Sequence, residues 1–395
     1  MEYRFSQKLS ELKPSAIREI FKSLTNPQII SFAAGNPSPE SFPVAELAKI
    51  SADIFENQSI SALQYSITEG YTPLREAIAK RQSQKFGIGT DKDSTIVVSG
   101  GQQGLELACK VFCDEGDTVI CENPSFIGAL NSFRSNGANI VGVDLEADGI
   151  SIEGLEKALK SNPRAKLIYM IPTFQNPSGI TTSIEKRRAV LELARKYDVI
   201  ILEDNPYGEL RFIGEDIPTI KSIDTEGRVI YCSSFSKILS AGMRVGFVIA
   251  NESIISKMSV AKQGEDVHTN IFFQMLCHRF MTEYDIDAHI KKINALYLRK
   301  CRLMLDCIDK YVPSDKVTFT RPEGGLFIWG TVKDCSDASP IVTRLIQEKV
   351  AVVPGSAFNC DTSAPSPCFR LNYSTPLDGQ IEEGIKRLGK VFSEL

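Results

Sequence analysis

The chain has 395 residues, 43% of them hydrophobic and 24% charged. At roughly 100–200 residues per domain this allows about two to four domains with a large buried core, and it excludes a disordered, collagen-like or coiled-coil chain. Its 45 Lys and Arg against 49 Asp and Glu leave a formal charge of −4, which speaks against nucleic acid or an anionic membrane as partner.

From residue 95 onward, short aliphatic runs alternate with amphipathic stretches, the pattern of an α/β chain with a mostly parallel sheet covered by helices. Runs at Thr95–Val98, Thr118–Cys121, Asn139–Val143, Leu167–Ile171, Val199–Leu202, Val229–Cys232 and Gly246–Ile249 predict seven strands. Several are apolar enough to be buried on both faces. Between them, Val190, Leu191, Ala194 and Tyr197 recur at helical spacing over Glu185–Tyr197. Asp287–Tyr311 predicts one long helix, with Ile290, Ile293, Leu296, Tyr297, Leu303, Met304 and Ile308 on one side. After it come strands at Val317–Phe319 and Leu326–Trp329, a helix over Ile341–Lys349, a strand over Phe369–Tyr373 and a last helix over Leu377–Phe392. These fit a smaller α+β unit.

The ten cysteines include no Cys-x-x-Cys pair, so they read as reduced thiols, and Cys109, Cys113, Cys277, Cys301 and Cys307 as helical filler. His268, His278 and His289 fall in one predicted helical region without metal-ligand spacing, and no metal is expected. The start, Met1–Ser6, has no apolar stretch of a signal peptide, and no run reaches 18 apolar residues. The expected location is cytoplasmic.

Four segments carry chemistry. Ser233-Ser234-Phe235-Ser236-Lys237 follows a predicted strand, and Arg244 stands seven residues past the lysine, so an anionic group and a free amine can meet there. Glu203-Asp204 directly follows the Val199–Leu202 run; a carboxylate at the carboxyl end of a buried strand faces the crevice where α/β proteins bind ligands. Pro172-Thr173-Phe174-Gln175-Asn176-Pro177-Ser178-Gly179 presents an amide at the same edge. Ser99-Gly100-Gly101-Gln102-Gln103-Gly104 ends a strand and opens a helix, where free backbone N–H groups and the helix dipole hold phosphate. Each segment alone reads as a turn or a surface feature.

In this order the segments resemble pyridoxal-phosphate enzymes of the aspartate aminotransferase superfamily, fold type I, nearest the kynurenine and 2-aminoadipate aminotransferase group. The likeness runs from Ile17-Arg18 through Ala34-Gly35-Asn36-Pro37, Leu63-Gln64-Tyr65, Asn123-Pro124-Ser125-Phe126, Glu323-Gly324-Gly325-Leu326-Phe327 and Val353-Pro354-Gly355 to Phe369-Arg370-Leu371-Asn372-Tyr373. It implies an N-terminal segment over 1–45 that joins a small domain, a large cofactor domain over 46–286, and a long helix plus small domain over 287–395.

The resemblance also implies roles. Lys237 would bond the cofactor aldehyde and then move the substrate Cα proton. Asp204 would pair with the pyridine nitrogen, Asn176 and Tyr207 with the phenolic oxygen, and Phe126 would stack on the ring. The phosphate would rest on the backbone N–H groups of Gly100, Gly101 and Gln102, on Ser234 with Ser236 beside it, and on Arg244. Many relatives carry a hydroxyl where this chain has Gly101. Arg370 would bind the substrate α-carboxylate, with Gly35 and Asn176 beside it, and Arg18 would meet a distal acidic group. Tyr65 would reach the phosphate of a neighbouring subunit, which implies a homodimer.

These features predict an aminotransferase moving an amino group from an amino acid to a 2-oxo acid by a ping-pong mechanism, with glutamate and 2-oxoglutarate as one pair. The same residues would also serve a carbon–sulfur β-lyase. A ligand-sensing regulator domain is the third reading, disfavoured because the sequence has no basic N-terminal domain.

Overall fold

The computed structural model describes Tyr3, Phe5, Ser6 and residues 28–395. Arg18 lies outside the described residues.

An eight-stranded sheet runs in the order Asp93–Val98, Gly246–Asn251, Val229–Ser234, Ile200–Asp204, Ala165–Met170, Thr118–Asn123, Asn139–Glu146 and Gly149–Ile150. The central pairings are parallel. Gly246–Asn251 is antiparallel to both of its neighbours. All the runs from Thr95 to Ile249 that the sequence marks are strands here, and the two-residue Gly149–Ile150 strand adds a hairpin at one edge, antiparallel to Asn139–Glu146.

The alternation of side chains shows why the central strands read as continuous apolar runs. Leu167 and Tyr169 enter one buried cluster with Val119, Cys121 and Leu202. Ile168 and Met170 enter a second with Ile120 and Ile201. Helices cover both faces, so neither set of alternate residues meets water.

A second, antiparallel sheet orders Val317–Phe319, Phe327–Val332, Cys368–Asn372 and Val353–Pro354. The 26-residue helix Ile286–Tyr311 begins where the Asp285 carboxylate accepts from the Ala288 amide at 2.9 Å, and it packs along the last helix, Asp378–Ser393. Ile30–Ser31 pairs in parallel with Val350–Ala351, which brings the start of the described chain to the edge of this region.

Some local expectations shift. The helix expected over Ile341–Lys349 spans Ser339–Gln347, because Lys349 takes a left-handed φ of 64° and Val350 turns into a strand. Cys113 sits just past the helix Gly101–Phe112 rather than in it. The three histidines do not share one helix: His268 lies between the helices Glu252–Gln263 and Ile271–Glu283, His278 on the second, and His289 on the long helix. All ten cysteines are free. Among the described residues there is no cluster of metal-ligating side chains and no helix long and apolar enough to cross a membrane.

Candidate active site

The period of two along a strand separates the acidic pair. Asp204 shares the face of Leu202 and Tyr169, and the Tyr169 hydroxyl donates to Asp204 Oδ2 at 2.9 Å. Glu203 points to the other face, where its oxygens accept from the backbone amides of Ile220 and Lys221 at 3.0 and 2.8 Å. One carboxylate therefore starts a short helix and the other serves the crevice. Burial pushes Asp204 up to about 7, against the lowering effect of the Tyr169 bond. Such a carboxylate becomes favourable again when a cation meets it.

The next strand in the sheet, Val229–Ser234, ends in the turn that carries Lys237. Ser234 fixes this turn: its Oγ accepts from the Ser236 amide at 3.0 Å and lies 2.7 Å from Ser236 Oγ and 3.2 Å from the Val245 carbonyl. Lys237 Nζ donates to the Gly35 carbonyl at 2.7 Å. Burial, and then the positive charges of Arg370 and Arg244, push its pKa down to about 8. About a tenth of the amine is then neutral at pH 7, against roughly one part in three thousand for an ordinary lysine.

Arg244 takes a left-handed φ of 56° and donates to the Ser99 carbonyl at 3.1 Å. Its guanidinium lies so close over Gly100 that a Cβ there would stand 2.1 Å from Arg244 Nη2. Gly100 itself has a φ of 81°, so both its backbone and its surroundings exclude a side chain. One expectation is corrected here: the Gly100 amide donates to the Val98 carbonyl at 2.8 Å, so it is not free for a phosphate. Gly101 and Gln102, at the first two positions of the helix Gly101–Phe112, keep amides without an intrahelical acceptor. A Cβ on Gly101 would meet nothing nearer than 3.8 Å, so packing does not demand the glycine at this position.

Arg370, on the strand Cys368–Asn372 of the second sheet, crosses to the same crevice. It donates through Nη1 to Asn176 Oδ1 at 2.7 Å and through Nη2 to the Ala33 carbonyl at 2.8 Å. The rings of Phe327 and Phe358 lie 4.2 and 4.9 Å from its guanidinium carbon. Its Nε is buried without a partner, a donor that fits an incoming carboxylate. Asn176 Nδ2 also reaches the Tyr207 hydroxyl at 3.4 Å, so Arg370, Asn176 and Tyr207 form one chain of contacts.

The sequence reading missed the residue that holds this chain in place. Arg187 is wholly buried and donates to the carbonyls of Thr182, Pro172, Pro218 and Ile217 and to Thr173 Oγ1, at 2.7 to 3.5 Å. These bonds tie both ends of the Asn176 loop to the segment before Thr219. Arg187→Met should lower the free energy of urea unfolding by at least about 3 kcal/mol, since several buried carbonyls lose their donor. A loss below about 1 kcal/mol would show that the loop holds without it.

The remaining expected residues stand as follows. Phe126 caps the helix Ile127–Ser135, with its ring against Gly128. Gln102 donates to the Gly128 carbonyl at 2.8 Å. Tyr65 is 82% exposed, its ring perpendicular to that of His268, and does not join the crevice residues of its own chain. Tyr169 also escaped the sequence reading, because only the pairing of its strand with Ile200–Asp204 brings its hydroxyl to Asp204.

An ammonium-bearing lysine, a buried carboxylate without a cation, free helix-start amides beside an arginine, and an unpaired guanidinium N–H fit pyridoxal phosphate and an amino-acid carboxylate. The comparisons agree. Residues 27–388 match the family "Aminotransferase class I and II". The chain is 39% identical to aromatic-amino-acid aminotransferase 1 of Thermococcus litoralis, over 100% of this chain and 95% of that one. It is 36% identical to the 2-aminoadipate transaminase of Thermus thermophilus, over 99% and 97%. The crystal structure of Pyrococcus horikoshii kynurenine aminotransferase superposes with a TM-score of 0.94 at 39% identity, covering 99% of this chain and 97% of that chain. The chain belongs to the class I and II aminotransferases and is a pyridoxal-phosphate enzyme of fold type I.

Proposed function

We propose that the enzyme works by double displacement, with glutamate and 2-oxoglutarate as one substrate pair. The observation that carries this reading is the convergence of Lys237, Asp204 and the Arg370–Asn176–Tyr207 chain on one crevice between the two sheets. When bound, pyridoxal phosphate supplies an aldehyde that receives the amino group and a ring that takes up the electron pair left at Cα.

Asp204 offers its carboxylate to the ring nitrogen, and Tyr169 keeps that carboxylate aimed. Asn176 and Tyr207 would hydrogen-bond the phenolic oxygen, and Phe126 would stack on the ring. The Gly101 and Gln102 amides, Ser234 and Arg244 hold the phosphate, and Ser236 orients Ser234. Arg370 takes the substrate carboxylate through Nε and an Nη, with Gly35 forming the wall near it. Lys237, with its lowered pKa, takes the Cα proton and returns it on the other side of the transfer.

We further propose a homodimer in which Tyr65 serves the neighbouring subunit. The exposure of Ile60 (79%), Leu63 (72%) and Tyr65 (82%) supports it. The division into segments 1–45, 46–286 and 287–395 and a cytoplasmic location complete the reading.

The enzyme loaded with pyridoxal phosphate, given glutamate alone, should release one equivalent of 2-oxoglutarate per site and no ammonia. Arg18→Ala should raise KM for glutamate and 2-oxoglutarate about tenfold or more, with aromatic donors little changed. Continuous release of pyruvate, ammonia and a thiol from an amino acid with a sulfur leaving group on Cβ, in the absence of a 2-oxo acid, would favour the lyase reading. Equal KM changes for both substrate classes would remove Arg18 from the site.

A further inference from the structure

Behind the phosphate-binding loop lies a buried polar network that the catalytic reading leaves unused. Lys262, near the end of the helix Glu252–Gln263, has no exposed surface. Its Nζ donates to Gln103 Oε1 at 2.7 Å, to Asp266 Oδ1 and Oδ2 at 2.7 and 2.9 Å, and to Thr269 Oγ1 at 3.0 Å. Three of these acceptors reach the loop, Thr269 Oγ1 lying 3.1 Å from the Ser99 hydroxyl. Gln103 Oε1 also accepts from the Ser99 amide at 2.8 Å, and Asp266 Oδ2 accepts from the Ser99 hydroxyl at 2.7 Å. The Ser99 carbonyl is in turn the acceptor of Arg244 Nη2 at 3.1 Å.

Ser99 is thus held at its backbone N–H, its hydroxyl and its carbonyl. Gln103, in the first helical turn on one side of the loop, binds the ammonium directly, and Ser99, on the other side, is joined to it through Gln103, Asp266 and Thr269. Gly100, Gly101 and Gln102 lie between these two fixed points. Glu265 accepts from Gln103 Nε2 at 3.0 Å and pairs with Lys110, so the amide of Gln103 cannot flip without losing a bond at each end. Burial raises the Asp266 carboxyl, but the bonds from Lys262, Ser99 and Gln103 outweigh it and hold the group ionised. The network therefore orients the loop as a paired charge and leaves Arg244 as the phosphate's cation. Stripping water from an ammonium is costly, and such a group is retained where its directional bonds fix a geometry.

We propose that Lys262, together with Asp266 and Thr269, is a positioning residue for the cofactor phosphate, aiming the Gly101 and Gln102 amides and Arg244 by fixing Ser99 and Gln103. This rests on the placement of the phosphate at that loop. The test compares binding of pyridoxal phosphate and of pyridoxal, which lacks the phosphate, to the cofactor-free protein by absorbance titration.

Lys262→Met should raise Kd for pyridoxal phosphate at least tenfold while changing Kd for pyridoxal less than about twofold. An unchanged pyridoxal phosphate affinity, or an equal loss for both ligands, overturns the proposal. Should Lys262→Met not fold, Ser99→Ala removes the hydroxyl's bonds to Asp266 and Thr269 and should weaken pyridoxal phosphate alone, by about three- to fivefold; no change or a parallel loss again overturns it. Arg244→Ala separates the two levels. If Arg244→Ala weakens pyridoxal phosphate selectively and Lys262→Met does not, only the positioning role fails, whereas a non-selective Arg244→Ala removes the phosphate from this loop altogether.

Discussion

Lys237→Ala is expected to abolish turnover while leaving noncovalent binding of pyridoxal phosphate measurable. The variant keeps the Gly101 and Gln102 amides, Ser234 and Arg244, so the proposed phosphate anchor remains. It loses the amine whose pKa is pushed down to about 8 by burial and by Arg370 and Arg244, and with it the base proposed for the Cα proton. Among the described residues the other buried lysines are committed elsewhere: Lys221 to Asp93 at 2.8 Å, Lys300 to the Pro376 carbonyl at 2.7 Å, and Lys262 to the network behind the loop. None can stand in. Steady-state assays should find activity lower by at least about four orders of magnitude, within the range that loss of a covalent and proton-transferring group produces. Retained activity within about a hundredfold of wild type would remove Lys237 from the chemistry.

Asp204→Asn should leave the fold intact and slow Cα proton removal by several orders of magnitude, because a neutral amide no longer favours a protonated ring nitrogen. A loss below about tenfold in single-turnover kinetics, worth about 1.4 kcal/mol, would mean that Asp204 is not the partner of that nitrogen. The same substitution has a pH signature in the cofactor-free protein. Asp204 is raised from 3.8 to about 7 in the folded chain. Between about pH 4 and 7 the folded state therefore holds a proton that the unfolded state has lost, and stability falls as pH rises through this window. Asparagine cannot titrate. The stability of Asp204→Asn relative to wild type should thus climb with pH from 4 to 7, by up to about 4 kcal/mol, and level off above it. A difference that is flat in pH would show that the carboxylate is not strained by burial.

The readable part of this protein was the part written in periodicities and in strand-end motifs. Continuous runs such as Leu167–Ile171 betray strands buried on both faces, and Leu167, Ile168, Tyr169 and Met170 do alternate between the two apolar clusters. Lys237, Asp204 and Asn176 stood out because each follows such a run, and the loops after parallel strands open into one crevice. What was hidden depends on contacts between distant segments. Tyr169 looked like one more apolar strand residue until the adjacent strand put Asp204 within 2.9 Å of its hydroxyl. Nothing in the helical spacing over Glu185–Tyr197 singles out Arg187, yet it is wholly buried among carbonyls that lie 5 to 31 residues away in sequence. The Gly100 amide looked free because a glycine-rich helix start usually leaves it so, and only the tight turn onto Val98 shows otherwise. Gly149–Ile150 is too short to give any alternation at all.

The most direct test of the site is chemical. Borohydride reduction of the enzyme loaded with pyridoxal phosphate fixes the cofactor to the amine that carries it, and peptide mass spectrometry then names that amine. The label should fall on the peptide containing Ser234, Ser236 and Lys237, at Lys237, in about one copy per chain. Label on any other lysine, Lys262 or Lys221 included, would contradict the account.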